Sequence, residues 1–142
     1  MRRFAVPFVV LVLAACASGG STAGERPSGI MQPDIEVKIA GNVFFGGTAE
    51  APITFDVFIR NRAAETLNLR EIEITAPNMS TYSVRPARRN FNETIQANEE
   101  KKYTLFSTVQ TLVANPREPL SLRTYVTFET DGLRWREMVV DQ

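Results

Sequence analysis

Apolar and polar residues alternate along most of the chain from Asp34 to Gln142, and turn-forming residues separate the alternating runs. Alternation with a period of two is typical of a β-strand that buries one face. The clearest run is ITFDVFIR, residues 53–60. No apolar stripe of helical period accompanies these runs, so the pattern predicts an all-β domain. Further strands are predicted near residues 35–39, 67–74, 81–84, 92–96, 101–109, 120–130 and 133–140.

One change of phase predicts an irregularity in the third run. Leu67 and Leu69 point to one face, whereas Ile72 and Ile74 continue the alternation in the opposite phase. One extra residue near Arg70 explains the change, because a β-bulge places two residues opposite one on the neighbouring strand.

The last two runs are separated by Asp131-Gly132, which is a strong signal for a hairpin with a two-residue turn. In the register that this turn sets, Glu129 faces Arg134 on one side of the sheet. Phe128 faces Trp135 on the other side. An opposite-charge pair and an aromatic pair each stabilise such a hairpin by a few tenths to about 1 kcal/mol.

The same register predicts an apolar strip on the outer face of the hairpin, formed by Tyr125, Met138 and Val140. This strip is our candidate partner surface, and the final strand also offers an edge for an added strand. The register places Glu137 opposite Val126 on the core face, which is unfavourable for a carboxylate. A bulge that turns Met138 and Val140 inward is therefore the alternative.

The run ITFDVFIRNRAAETLNLREIEI resembles the second and third strands of bacterial immunoglobulin-like and fibronectin-III-like modules. In those modules an alternating strand ending in Arg-Asn leads through a polar turn to Leu-x-Leu and Ile-x-Ile. The resemblance implies a single immunoglobulin-like antiparallel β-sandwich of about seven strands over residues 34–142. A lipid-binding β-barrel is the alternative fold, and the single strong hairpin favours the sandwich.

The first residues of the chain have a different composition. Arg2 and Arg3 precede an apolar run that begins at Phe4 and ends in small residues, as in an export signal. The 12 residues from Phe4 to Ala15 fall short of the roughly 20 that a helix needs to span a bilayer. The pattern therefore predicts an exported protein.

Leu13-Ala14-Ala15-Cys16 resembles the lipobox of bacterial lipoproteins, which implies cleavage between Ala15 and Cys16 and lipidation of Cys16. We expect a signal peptide over residues 1–15, the lipidated cysteine and a flexible tether over 16–33, and the β-sandwich over 34–142. An ordinary secretory signal with an incidental cysteine is the alternative. In such lipoproteins an Asp directly after the lipidated cysteine often means retention in the inner membrane. This chain has Ala17 at that position, which resembles the pattern of lipoproteins sent to the outer membrane.

The composition narrows the chemistry that this chain can carry. It has no histidine and one cysteine, so Ser-His-Asp and Cys-His catalysis and imidazole zinc sites are excluded. Gly-rich phosphate loops and calcium loops are also absent from the sequence. Cleavage after residue 15 leaves 14 basic and 16 acidic residues, a formal charge of −2, without the basic surplus of nucleic-acid binders. We expect no catalytic residues, no cofactor, no metal and no nucleic-acid partner.

These features together predict a membrane-anchored lipoprotein of the cell envelope that binds or scaffolds another envelope protein without catalysis. A carrier or sensor of a small apolar ligand in the periplasm is the alternative, suggested by the apolar strands. Arg85, Arg88 and Arg89 predict a basic loop, which we interpret as solvated. Phe44-Phe45 is a second apolar candidate, and a strand that turns one of the two inward is its simpler explanation.

Overall fold

The computed structural model describes residues 23–43, 49–77, 81–111 and 119–141. No helix occurs in these four ranges, so none of their residues belongs to a helix able to cross a membrane. The predicted all-β class is confirmed. The strands are β1 (Asp34–Ile39), β2 (Glu50–Arg60), β3 (Leu67–Thr75), β4 (Tyr82–Val84), β5 (Ala87–Ile95), β6 (Glu100–Thr111), β7 (Leu122–Thr130) and β8 (Leu133–Asp141).

The eight strands form two antiparallel sheets, in the orders β1-β2-β6-β4 and β5-β3-β7-β8. These orders match the A-B-E-D and C-F-G sheets of the immunoglobulin fold, with β5 added beside β3. The predicted immunoglobulin-like sandwich is confirmed, with eight strands in place of about seven.

The core lies between the inner faces of the two sheets, and the alternation in the sequence determines which side chains enter it. Phe55, Val57 and Ile59 of β2 are fully buried, as are Phe128 of β7 and Trp135 of β8. The rings of Phe128 and Trp135 lie 5.7 Å apart. Each fully buried side chain of this size contributes about 1.5–3 kcal/mol, so the core holds the fold together without a disulfide.

The predicted bulge in β3 is confirmed. Pairing of β3 with both β5 and β7 shifts between Leu69 and Glu71, so Arg70 is the additional residue. Leu69 and Ile72 are both fully buried. The bulge therefore keeps both halves of the strand facing the core and directs Arg70 outward.

The predicted register of the last hairpin is also confirmed, from the turn to Val140. Asp131 and Gly132 have φ angles of 51° and 76°, as a type I′ turn requires. No shift interrupts the pairing, so the alternative that turns Met138 and Val140 inward is wrong. Met138 is 55% exposed and Val140 is 49% exposed.

A charge pair resolves the unfavourable position of Glu137. This residue does lie opposite the buried Val126, yet its carboxylate Oε1 is 3.0 Å from Nη1 of Arg26. Because β8 is at the edge of its sheet, a side chain from outside the sheet can reach Glu137 there.

Arg26 belongs to the predicted tether, and the described part of that tether differs from the expectation. Residues 23–33, which we call the N-terminal strap, lie against the sandwich. The backbone N–H of Gly24 donates to the carbonyl of Arg134 at 3.0 Å, Ile30 packs against the core, and Pro33 is buried. Specific contacts with the domain thus fix a segment whose composition resembles a linker.

The buried Asn61 connects two turns at one end of the sandwich. Its Nδ2 donates to the carbonyl of Glu65 at 2.7 Å and to that of Ile95 at 3.1 Å. Its Oδ1 accepts from the N–H of Ala63 at 2.8 Å. Asn61 is fully buried, and these bonds satisfy its amide while tying the β2–β3 turn to the end of β5.

Candidate functional site

The candidate partner surface lies on the outer face of the β5-β3-β7-β8 sheet. Tyr125 pairs with Met138, and Val140 is the next outward-facing residue of β8, so the three side chains are neighbours. Tyr125 is partly exposed, and the other two are exposed. We call these three residues the apolar strip. Its geometry follows the sequence prediction, and its role as a partner surface stays a prediction.

A partly buried cation borders the apolar strip. Arg123 lies between Thr75 on β3 and Val140 on β8. Its Nε is buried without a hydrogen-bond partner. A guanidinium is always charged and carries five N–H donors. The strip therefore ends beside a positive charge with one unsatisfied N–H donor.

The half of this face nearest the hairpin turn is charged. Glu129 accepts from Arg70, with Nη2 to Oε1 at 3.1 Å, and from Arg134, with Nη2 to Oε2 at 3.2 Å. The hydrogen bonds from Arg70, which have the larger effect, and those from Arg134 hold the pKa of Glu129 below its ordinary value. The predicted Glu129–Arg134 pair is thus confirmed, and Arg70 is a partner that sequence reasoning missed.

A second charged cluster connects this half to the apolar strip. Arg136 forms ion pairs with Glu73 and, at 3.6 Å, with Glu71. Arg88 lies 2.7 Å from the same Glu71 carboxylate, which raises the pKa of Arg88. The guanidinium carbon of Arg136 lies 4.3 Å from the centroid of the Tyr125 ring. This cation–π contact fixes the edge of the strip against the charged cluster.

The predicted basic loop is wrong. β5 begins directly after Pro86, so Arg88 and Arg89 belong to a strand and only Arg85 lies in the connection. Arg89 lies 5.0 Å from the centroid of the Phe91 ring, and Arg88 belongs to the cluster described above. Pro86 lies between β4 and β5, at the corner where the chain passes from the first sheet to the second.

A surface cleft of about 840 Å³ lies over the charged half of the face. Ala23, at the start of the described strap, is part of its lining. The lining suits charged or polar groups, and it does not suit the small apolar ligand that the carrier alternative requires. Its charged side chains are already in ion pairs: Arg88 and Arg136 pair with Glu71 and Glu73, and Arg70 and Arg134 pair with Glu129.

Two observations bear on chemistry elsewhere in the described residues. No group of three or more carboxylate, cysteine or histidine side chains is placed there to hold a metal ion. The hydroxyl of Tyr103 donates to Glu93 at 3.3 Å. Burial is the largest cause of the raised pKa of this hydroxyl, and the negative charge of Glu93 is the second. A phenol whose ionisation is suppressed in this way is suited to a structural hydrogen bond. Ala15, Cys16 and Phe44-Phe45 lie outside the described residues.

Comparison with known proteins supplies no family for this chain. No family model matches it, and no curated protein matches it. A Northeast Structural Genomics Consortium target, SoR45, is similar with 14% identity over 76% of this chain and 80% of that chain, at a TM-score of 0.46. A protein from Archaeoglobus fulgidus has 10% identity over 76% and 90% of the two chains, at a TM-score of 0.46. A FixG-related protein from Vibrio parahaemolyticus has 9% identity over 79% and 94%, at a TM-score of 0.41.

Proposed function

We propose that this protein is a lipoprotein of the bacterial cell envelope, anchored in the outer membrane through lipid on Cys16, and that it binds or scaffolds another envelope protein without catalysis. The apolar strip is the observation that supports this function. Contiguous apolar side chains with a charged rim, exposed on a rigid sheet, are typical of a protein-interaction site. Every apolar side chain of the strip comes from one hairpin, so its shape is fixed before binding.

The strip by itself supports a modest affinity. Met138 and Val140 are each about half exposed, and complete burial of such a side chain contributes about 1.5–3 kcal/mol. Covering the exposed half of each therefore contributes about 1 kcal/mol per residue. Binding also costs rotational and translational freedom, so a lone strip would give a transient complex.

The proposed anchor compensates for a modest affinity by holding the domain near its partner. Seven residue steps separate Cys16 from Ala23, which corresponds to at most about 25 Å of extended chain. Ala23 lines the cleft on the outer face. A partner in the same membrane then meets the apolar strip at a high effective concentration.

Site-specific photocrosslinking in the native envelope tests this function. A photoreactive amino acid replaces Met138 in the full-length protein, and in a matched control it replaces Phe106. Phe106 is 76% exposed, and it alternates with the buried Leu105 on the other sheet. We expect one defined crosslinked protein from position 138 and not from position 106. Identical products from both positions, or none from position 138, would contradict the proposed function.

A further inference from the structure

The edge of β8 has a backbone geometry that can be derived from its turn. β8 has one neighbour in its sheet, β7. In an antiparallel pair, residues that exchange two hydrogen bonds alternate with residues whose backbone groups point away from the partner strand. Because the turn has two residues, Thr130 and Leu133 form two backbone hydrogen bonds with each other. Arg136, Met138 and Val140 therefore direct their N–H and C=O groups to the free edge.

The N-terminal strap agrees with this geometry and uses one end of the edge. The N–H of Gly24 donates to the carbonyl of Arg134, and Gly24 forms a parallel bridge with Trp135. Arg134 lies two residues before Arg136, so its backbone groups have the same orientation. The bond from Gly24 shows that the carbonyl of Arg134 points to the free edge. The parallel bridge also places the N–H of Arg136 at the carbonyl of Gly24. From Met138 to Val140, no backbone hydrogen bond crosses the edge within the described part of the chain.

Protection of the β8 edge is uneven along its length. Natural sheets block edge pairing with proline, bulges, charged side chains, inward-pointing charges or a covering segment. Glu137 is an inward-pointing charge that the N-terminal strap reaches through Arg26, whereas the stretch 138–140 has no proline, no charged side chain and no bulge. The guanidinium of Arg136 is held over the sheet by Glu73, and Met138 and Val140 are exposed. A straight, apolar edge is a template for another strand.

We propose that the edge of β8 from Met138 to Val140, beyond the part that the strap engages, receives an extended acidic and apolar segment of the partner protein as an added strand. The segment places an apolar residue beside Met138 and a carboxylate beside Val140, within reach of Arg123. This inference rests on the proposed function, because it describes how the partner binds at the same face. Main-chain hydrogen bonds supply affinity, and alternate side chains supply specificity.

Charge distinguishes this occupant from a second copy of the chain. If two copies pair antiparallel about Met138, Arg136 of the second copy lies beside Val140. That arrangement brings another cation toward Arg123, whose Nε has no hydrogen-bond partner. A carboxylate at the same position forms a charge-assisted pair with Arg123 instead. The observed charges therefore favour an acidic segment over a second copy.

The test uses the full-length protein in the native envelope, with the photoreactive residue at position 138. Val140→Pro removes the N–H that points to the free edge. It leaves the backbone hydrogen bonds to β7 intact, because Val140 and the opposite residue Arg123 form none with each other. Val140→Thr, which keeps that N–H and the branched shape, is the matched control. We expect the yield of crosslinked partner to fall at least tenfold with proline and less than threefold with threonine.

A second measurement does not depend on the folding of the proline variant. Sequencing the partner peptide attached to position 138 of the parent protein is expected to give alternating apolar residues, with Asp or Glu two positions from the attachment. Arg123→Gln is expected to lower the crosslink yield severalfold. A peptide without a carboxylate there, or a crosslinked product that is a second copy of the chain, overturns the proposed occupant.

The failure of the added strand is distinguishable from the failure of the proposed function. A folded Val140→Pro variant with full crosslink yield overturns strand addition. If Tyr125→Glu then abolishes the crosslink, the partner docks on the outer face alone and the proposed function stands. If position 138 gives no crosslink even in the parent protein, both proposals fail together.

Discussion

Asn61→Ala is expected to destabilise the sandwich by about 3 kcal/mol, because it removes three hydrogen bonds at a fully buried position. Each buried polar group left without a partner costs about 1–3 kcal/mol. The N–H of Ala63 and the carbonyl of Ile95 are buried, whereas the bond to the carbonyl of Glu65 is partly buried. About 1–1.5 kcal/mol for each of the first two groups and less for the third gives that total.

Urea unfolding of residues 23–142, followed by the fluorescence of the buried Trp135, measures this change. We expect a lower midpoint with an unchanged slope, which indicates a loss of stability alone. Arg62→Ala is the control at the next residue. Its ion pair with Asp34 is more than half exposed on both sides and should contribute less than about 0.5 kcal/mol. A loss below about 1 kcal/mol for Asn61→Ala would refute the proposed role of its hydrogen bonds.

Three further predictions concern the anchor, the core and the charged face. Cys16→Ser should remove the lipid and release the protein from the membrane fraction; a variant that stays membrane-bound without a change in mass would contradict the anchor. Val57→Asp should unfold the domain, since it places an unpaired charge in the core, and unchanged melting would show that this face is not buried. The lowered pKa of Glu129 stabilises the fold above the unfolded value of about 4.3, and this stabilisation is lost as pH falls through the lower folded value. Glu129→Gln should therefore reduce the pH dependence of urea unfolding between about pH 5 and 3, and an unchanged dependence would show that Glu129 contributes none of it.

The parts of the fold that sequence predicts well are those set by neighbouring residues. Asp131-Gly132 determines the turn of the last hairpin, and the turn fixes the register of both strands. Because Tyr125 and Met138 belong to that single hairpin, the apolar strip can be derived before the sheets are known. The bulge at Arg70 is predictable for the same reason, since it leaves a change of phase in one strand.

The features that sequence did not predict depend on which distant segments become neighbours. Arg26 and Glu137 are 111 positions apart, and a polar strap gives no signal that it will dock on β8. The cluster of Glu71, Arg88 and Arg136 combines three strands whose order in the sheet is not written in their own patterns. Charged residues alternate with apolar ones in any half-buried strand, so their pairing requires the fold.

The most direct test of the central claim, that the apolar strip binds a partner, is partner recovery by a double variant. Tyr125→Glu with Met138→Glu is introduced into the full-length protein, the native envelope is crosslinked chemically, and the melting temperature of the domain is measured in parallel. Phe106→Glu is the control on the opposite sheet. We predict that the double variant loses the crosslinked partner while its melting temperature stays within a few degrees of the parent, and that the control keeps both. Retention of the partner, or loss of folding in the double variant, would contradict the claim.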